Sequence, residues 1–318
     1  MKVIEHLSKA NHTLISFEII PPTRGGDVKQ LMNVLDEIVK YNPPFIDITS
    51  HAAEVVYEET HSGGYQMKIK RKRPGTLGIC ALIQNKYNVD AVPHVICSGF
   101  TKEETEDFLI ELNYLGIDNV LAIRGDDSGF KKPLKFGRSA NEYAVDLIKQ
   151  ISNINEGKYI EDSLLDAEPM DFCVGTSGYP EKHFEAPNLM TDIHYTKEKV
   201  DAGACYIVTQ LFFNNQAYFD YVDICRKEGI KVPIIPGLKI ITSKSQLVNV
   251  PKHFYIDIPP DLTEEIIKAR DDKQVVEIGV EWTAKQVEEL LNKNVPAIHF
   301  FIMQNADPIN KLMKKIKF

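Results

Sequence analysis

The chain has 318 residues, is 43% hydrophobic and 26% charged, and carries a formal charge of −8. That is globular composition with length for a sizeable core, and the acidic balance argues against nucleic-acid and anionic-membrane partners. Five widely spaced cysteines without a C-x-x-C pattern argue against a disulfide framework or a zinc site and favour a reducing, cytoplasmic setting. No apolar run approaches the ~20 residues of a membrane span. Residues 1–11 lack the apolar core of a signal peptide, so no leader is expected.

In chain order, short apolar runs alternate with longer amphipathic ones. Strands are predicted at 13–18, 45–49, 91–96, 120–123, 172–175, 206–211, 233–236 and 297–302. Helices are predicted at 28–41, 102–115, 140–151, 196–202, 216–228, 243–250 and 283–293, with 76–88 a candidate before the third strand. Such alternation implies βαβ units around a parallel sheet. No G-x-G-x-x-G fingerprint and no Walker A pattern occurs. The expected fold is therefore α/β, a closed (β/α)₈ TIM barrel, read as one domain over residues 1–318. Three inserts break the rhythm: 55–74, which ends in the basic run Lys68–Arg73, the Gly- and Lys-rich 127–138, and the acidic 153–168. The basic run reads first as a solvated loop, with phosphate recognition as the alternative.

Polar residues end nearly every predicted strand. The first ends in Glu18, the second in Thr49-Ser50-His51, and the third runs through His94. The fourth ends in Arg124-Gly125-Asp126, the fifth leads to Tyr179 and His183, the sixth ends in Gln210, and the eighth leads to Gln304-Asn305. On a barrel, all of these converge at one mouth. Glu18 follows a buried strand and precedes Pro21-Pro22, and a carboxylate there is costly to desolvate unless it is used. His94, Glu18 and Asp126 could form a metal site, though no metal is expected. There is no nucleophile elbow, and Cys97 and Cys173 read as inert packing. What remains suits a flat, hydrogen-bonding heterocycle.

The ordered set is more specific than any one motif. Ser16-Phe17-Glu18 with Pro21-Pro22, Asp47-Ile48-Thr49, Val92-Pro93-His94-Val95, Leu121–Asp126 and Gly178–Glu181 come first. Lys199–Ala204, Thr209-Gln210, Ile234–Gly237 and His299-Phe300 follow in order. In these, the chain resembles the methylenetetrahydrofolate reductases of the bacterial, single-domain type. The resemblance implies a barrel holding FAD. NADH or NADPH reduces the flavin, and methylenetetrahydrofolate then takes the hydride, giving methyltetrahydrofolate for methionine synthesis.

By the same resemblance Glu18 is the proton donor, its carboxyl raised by burial and protonated near neutrality. Asp126 meets flavin and pterin and stabilises the cationic iminium; as an alternative it is a helix N-cap. Thr49, Ser50, His94, Tyr179 and His183 fall at the flavin. Arg124 and Gly125 fall beside it, with Arg124 meeting an FAD phosphate or ribose or else forming a structural pair with an Asp. Ala144, Asp192, Tyr195 and Lys199 fall at the rest of FAD, and Gln210, Gln246 and Asn305 at the folate. Tyr195, Glu198 and Asn305 depart from the usual Asn, Arg and Arg. The implied partners are small molecules, with a homo-oligomer as an option. A different flavin barrel, such as one resembling proline dehydrogenase, and a pterin-binding barrel without redox activity are the competing readings.

Overall fold

The computed structural model describes residues 1–61, 63–126, 129, 132–164 and 166–316. Parts of the three expected inserts, at 62, 127, 128, 130, 131 and 165, lie outside the described residues. The strands are β1 (Leu14–Ile19), β2 (Phe45–Ile48), β3 (Glu54–Glu59), β4 (Tyr65–Lys70), β5 (Asp90–Ile96) and β6 (Asn119–Ile123). They continue as β7 (Cys173–Gly178), β8 (Tyr206–Leu211), β9 (Ile234–Leu238) and β10 (Ala297–Met303). The helices are α1 (Val3–Lys9), α2 (Val28–Ile38), α3 (Leu77–Leu82), α4 (Lys102–Tyr114), α5 (Ala144–Asn155) and α6 (Leu189–Asp201). After them come α7 (Asn215–Lys227), α8 (Gln246–Phe254), α9 (Pro260–Lys268), α10 (Asp272–Asn292) and α11 (Asp307–Met313). Eight strands close into a barrel in the order β1-β10-β9-β8-β7-β6-β5-β2, with β3 and β4 forming a separate antiparallel pair. The TIM-barrel expectation holds.

Alternation builds the barrel wall. On β1, Ile15, Phe17 and Ile19 face the helices, while Ser16 and Glu18 face inward. Leu31, Val34, Leu35 and Ile38 recur at helical spacing along α2 and pack on that outer surface. Each such buried side chain contributes about 1.5–3 kcal/mol. Inside, Phe45, Val92, Leu121, Tyr206, Val208 and Ile235 fill the barrel. At Gly175 an added Cβ would stand 2.2 Å from the Tyr206 ring, so this position leaves room for that ring to cross the interior. Val3, Ile4 and Leu7 of α1 close the floor, fixed by the Val3 N–H donating to Asn119 Oδ1 at 2.8 Å.

Several expectations change. Residues 55–74 were expected as an insert ending in a solvated basic loop, but they hold the β3–β4 hairpin, whose charged face pairs Lys68 and Lys70 with Glu58. A two-stranded ribbon among charges carries a weak strand signal. Helix α6 starts seven residues before the expected Thr196, because Asn188 caps it by accepting from Thr191 N–H at 2.9 Å. Helix α10 begins at Asp272, capped by Asp271, and α1, α9 and α11 were not expected. The candidate helix at 76–88 forms as α3 followed by a π-helical turn over Ile83–Tyr87.

Candidate functional site

Two register irregularities aim the inner side chains at the barrel mouth. The β1–β10 pairing slips between Glu18 and Ile19, and the β8–β9 pairing slips between Val208 and Leu211, around Gln210. Bulges of this kind re-aim a side chain. Glu18 Oε2 consequently lies 3.4 Å from His94 Nε2 and 3.9 Å from His299 Nε2. Asp47, one layer deeper, lies 3.8 Å from His94 Nε2 and 4.0 Å from His299 Nδ1. Ser16 Oγ and His299 Nδ1 share a 2.8 Å hydrogen bond. The carbonyl of Pro21, just past β1, is gripped by Arg73 Nη1 and accepts from Gln304 Nε2 at 3.2 Å.

The electrostatics correct one expectation. Burial does push the Glu18 carboxyl up, but His299, His94 and Lys239 outweigh it and hold the group below the ordinary carboxylate range. Conversely, burial pushes His94 down, but Asp47 and Glu18 raise it above the ordinary imidazole range. The two shifts run in opposite directions, and each group favours the charged form of the other. The sequence reasoning counted burial and omitted the cations that the fold brings to the same layer.

Glu18, His94, Arg124, Gly125, Asp126, Tyr179, His183 and Gln210 line one mouth cavity of about 340 Å³. Arg124, Tyr179 and His183 also border an adjoining cleft of about 750 Å³, together with Ala144, Asp192, Tyr195 and Lys199. Lys199 is buried, so its amine falls to about 8, with Asp192 as the opposing negative charge. Its Nζ donates to the Ser177 carbonyl and lies 5.9 Å from the Tyr179 ring centre. Asp192 Oδ2 accepts the His183 N–H at 3.1 Å, and burial raises this carboxyl above its ordinary range. Arg124 pairs with Glu185 and stacks 5.5 Å from the Tyr143 ring centre. Gly125 holds φ +84°, a left-handed backbone that suits glycine. Asp126 is exposed, and among the described residues the next helix after it is α5, at Ala144, which corrects the N-cap alternative. Glu198 is turned to His194 at 3.4 Å.

The remaining expected residues sit apart. Gln246 and Asn305 line a third cavity of about 130 Å³ with Lys239, touching the mouth through Phe301. Their side chains serve local turns: Gln246 Oε1 accepts from Thr242 N–H at 2.7 Å and Asn305 Oδ1 from Asp307 N–H at 3.0 Å. Gln210 Oε1 accepts from Leu211 N–H at 2.9 Å. Thr49 Oγ1 lies 3.1 Å from His51 Nε2, and neither Thr49 nor Ser50 lines these three cavities. No role was read for Asp47, His299 or Lys239. Asp47 was detectable by the argument used for Glu18, as a carboxylate inside the apolar run Phe45–Ile48. Phe184 and Tyr255 also escaped notice. Their rings stack at 4.6 Å on the cavity rim and continue the row from Tyr179 and His183.

The family model for methylenetetrahydrofolate reductase matches residues 2–317. The chain is 29% identical over 320 residues to "Methylenetetrahydrofolate reductase (NADH) 1" of Arabidopsis thaliana, covering 96% of this chain and 49% of that one. It is 25% identical over 294 residues to "5,10-methylenetetrahydrofolate reductase" of Pectobacterium carotovorum, covering 92% and 86%. The chain thus spans about half the length of the plant, yeast and nematode relatives it matches. A protein of Clostridium thermocellum, described as binding two copies of 5-methyl-5,6,7,8-tetrahydrofolic acid, shares the fold at TM-score 0.59 and 14% identity over 98% of this chain and 97% of that one. With a matching architecture and a family match over nearly its full length, the chain belongs to the methylenetetrahydrofolate reductase family.

Proposed function

We propose that the chain, acting as one catalytic domain, reduces 5,10-methylenetetrahydrofolate to 5-methyltetrahydrofolate with NADH or NADPH through FAD. It would do so in the cytoplasm and supply methyl groups for methionine synthesis. The observation that carries this is the pair of adjoining cavities, joined through Arg124, Ser177, Tyr179 and His183. They run from a buried carboxylate at the barrel mouth to a buried lysine on α6. The larger has the size of a cofactor site.

The donor set fits FAD. Lys199 offers a desolvated cation for a phosphate, Asp192 an acceptor for ribose hydroxyls, and Gly125 a backbone that can approach a ring closely. His94, Tyr179 and His183 border the flavin on this reading, with Thr49 and Ser50 behind the cavity wall, and Ala144 and Tyr195 border its adenosine end. When bound, FAD carries the hydride from nicotinamide to folate.

The chain's residues do the rest. Glu18 gives a proton to the folate nitrogen that departs as the five-membered ring opens. Asp126 stabilises the resulting iminium cation and accepts from the pterin amino group. Gln210 donates and accepts, which suits nicotinamide and pterin in turn. Gln246 and Asn305, in the third cavity, face the far end of the folate. The departures at Tyr195, Glu198 and Asn305 concern these outer contacts and leave the mouth intact. No described helix is long and apolar enough to cross a membrane.

The test is an absorbance spectrum followed by stopped flow. Purified protein should be yellow, and NADH or NADPH should bleach it. A colourless protein that takes up no added FAD sinks the reading. Glu18→Gln should slow reoxidation by methylenetetrahydrofolate at least a thousandfold, about 4 kcal/mol of barrel-mouth chemistry, with flavin reduction near normal. If both half-reactions survive, Glu18 is not the donor.

A further inference from the structure

Asp47 is fully buried on β2, and neither of its carboxylate oxygens has a hydrogen-bond partner among the described residues. A carboxylate removed from water without pairing costs several kcal/mol even after relaxation. Among the described residues, the basic groups within 4.0 Å are two imidazoles, His94 and His299. Of these, His94 stands between two carboxylates, with Nε2 at 3.8 Å from Asp47 and 3.4 Å from Glu18. His299 is held by Ser16 through Nδ1, which directs Nε2 towards Glu18 at 3.9 Å. The other titratable groups acting on this layer are Lys239 beyond β9, His51 beyond β2 and Asp126 beyond β6, with Tyr206 from β8 and Cys80 from α3 beneath.

We propose that Asp47 is a positioning residue: with His299 it keeps a proton on His94 Nε2, and from there Glu18 is re-protonated in every turnover. The inference rests on the reading of Glu18 as proton donor and deepens it. The steps balance without electron transfer. The Glu18 O–H bond breaks as its proton passes to the opening folate ring. The carboxylate then takes the proton from His94, one N–H bond breaking and one O–H bond forming. Neutral His94 regains its proton from water in the mouth cavity. Asp47 neither gives nor takes a proton in these steps; it holds the His94 ring between itself and Glu18, with Nε2 at 3.8 and 3.4 Å from the two carboxylates.

The test combines ¹⁵N NMR of histidine-labelled whole protein with stopped flow. In the unsubstituted chain, His94 should stay doubly protonated through neutral pH, above the ~6.5 midpoint of an unperturbed imidazole. Asp47→Asn should lower that midpoint by about one unit and move the alkaline limb of the folate half-reaction by the same amount. That is about a tenfold loss of rate on this limb, a pattern that simple loss of packing would not give. A neutral His94 at neutral pH in the unsubstituted chain overturns the proposal, as does an unmoved profile in a folded, flavin-loaded Asp47→Asn. If Asp47→Asn does not fold, the titration of the unsubstituted chain decides. A chain that reduces no folate defeats the functional reading, and the His94 titration still reports on the network separately.

Discussion

At the scale of single residues, neighbouring charges govern Glu18 at one end of the cleft and burial governs Lys199 at the other. Lys199 loses its proton near pH 8, whereas an unfolded lysine holds its own to about 10.4. Between those values the unfolded chain binds more protons, so the apoprotein should gain stability as pH rises from about 8 to about 10. FAD affinity should move the other way, because the cation offered to phosphate is lost. A flavin fluorescence titration is expected to give about tenfold weaker binding above pH 9 than at pH 7, and Lys199→Met should show the weaker value at both. Affinity independent of pH and of that substitution would remove Lys199 from the proposed phosphate site. Asp126→Asn should slow folate reduction and weaken folate binding in stopped flow, and unchanged kinetics would leave Asp126 a loop residue. Glu18 and His94 were legible because each breaks an apolar strand. The charge state of Glu18 was not, since it depends on His299 and Lys239, which stand more than 200 residues away in sequence.

At the scale of elements, the loops after the strands hold the active end in shape. The basic run that read as solvated loop divides its work. Lys68 and Lys70 brace the hairpin against Glu58, while Arg73 returns to the Pro21 carbonyl beside β1. Proline removes backbone N–H groups, so the turn after Glu18 takes its order from donors elsewhere. Arg73→Met should cost about 1.5–3 kcal/mol, typical of a hydrogen bond from a charged donor, as measured by urea unfolding. A stability unchanged within error would make that contact dispensable. Strand and helix types were readable from period and caps for most of the wall. Helix α6 was cut short because its cap, Asn188, directly follows Pro187 and was not read as a helix start. The hairpin eluded reading because its pairing spends charges on one face and apolar groups on the other without a core beneath.

At the scale of the whole molecule, one residue tests how the interior is filled. Gly175→Ala would drive a methyl into the Tyr206 ring, and overpacking of this kind should cost about 3 kcal/mol. Combining it with Tyr206→Leu should return more than 1 kcal/mol, a coupling read from thermal unfolding of the two single variants and the double. Additive losses would mean that the barrel relaxes around the ring. The count of eight strands was legible from alternation alone. The α1 floor was not, because seven residues with one fully buried side chain give little periodicity to read. That floor, with Phe45, Val92 and Tyr206 above it, makes the mouth a cul-de-sac. Whatever reaches Glu18 must back out through the opening it entered. Two ligands that both need that spot can only take turns, and a surplus of either will queue in front of the other. Steady-state rates should therefore fall when one ligand is raised far above the second.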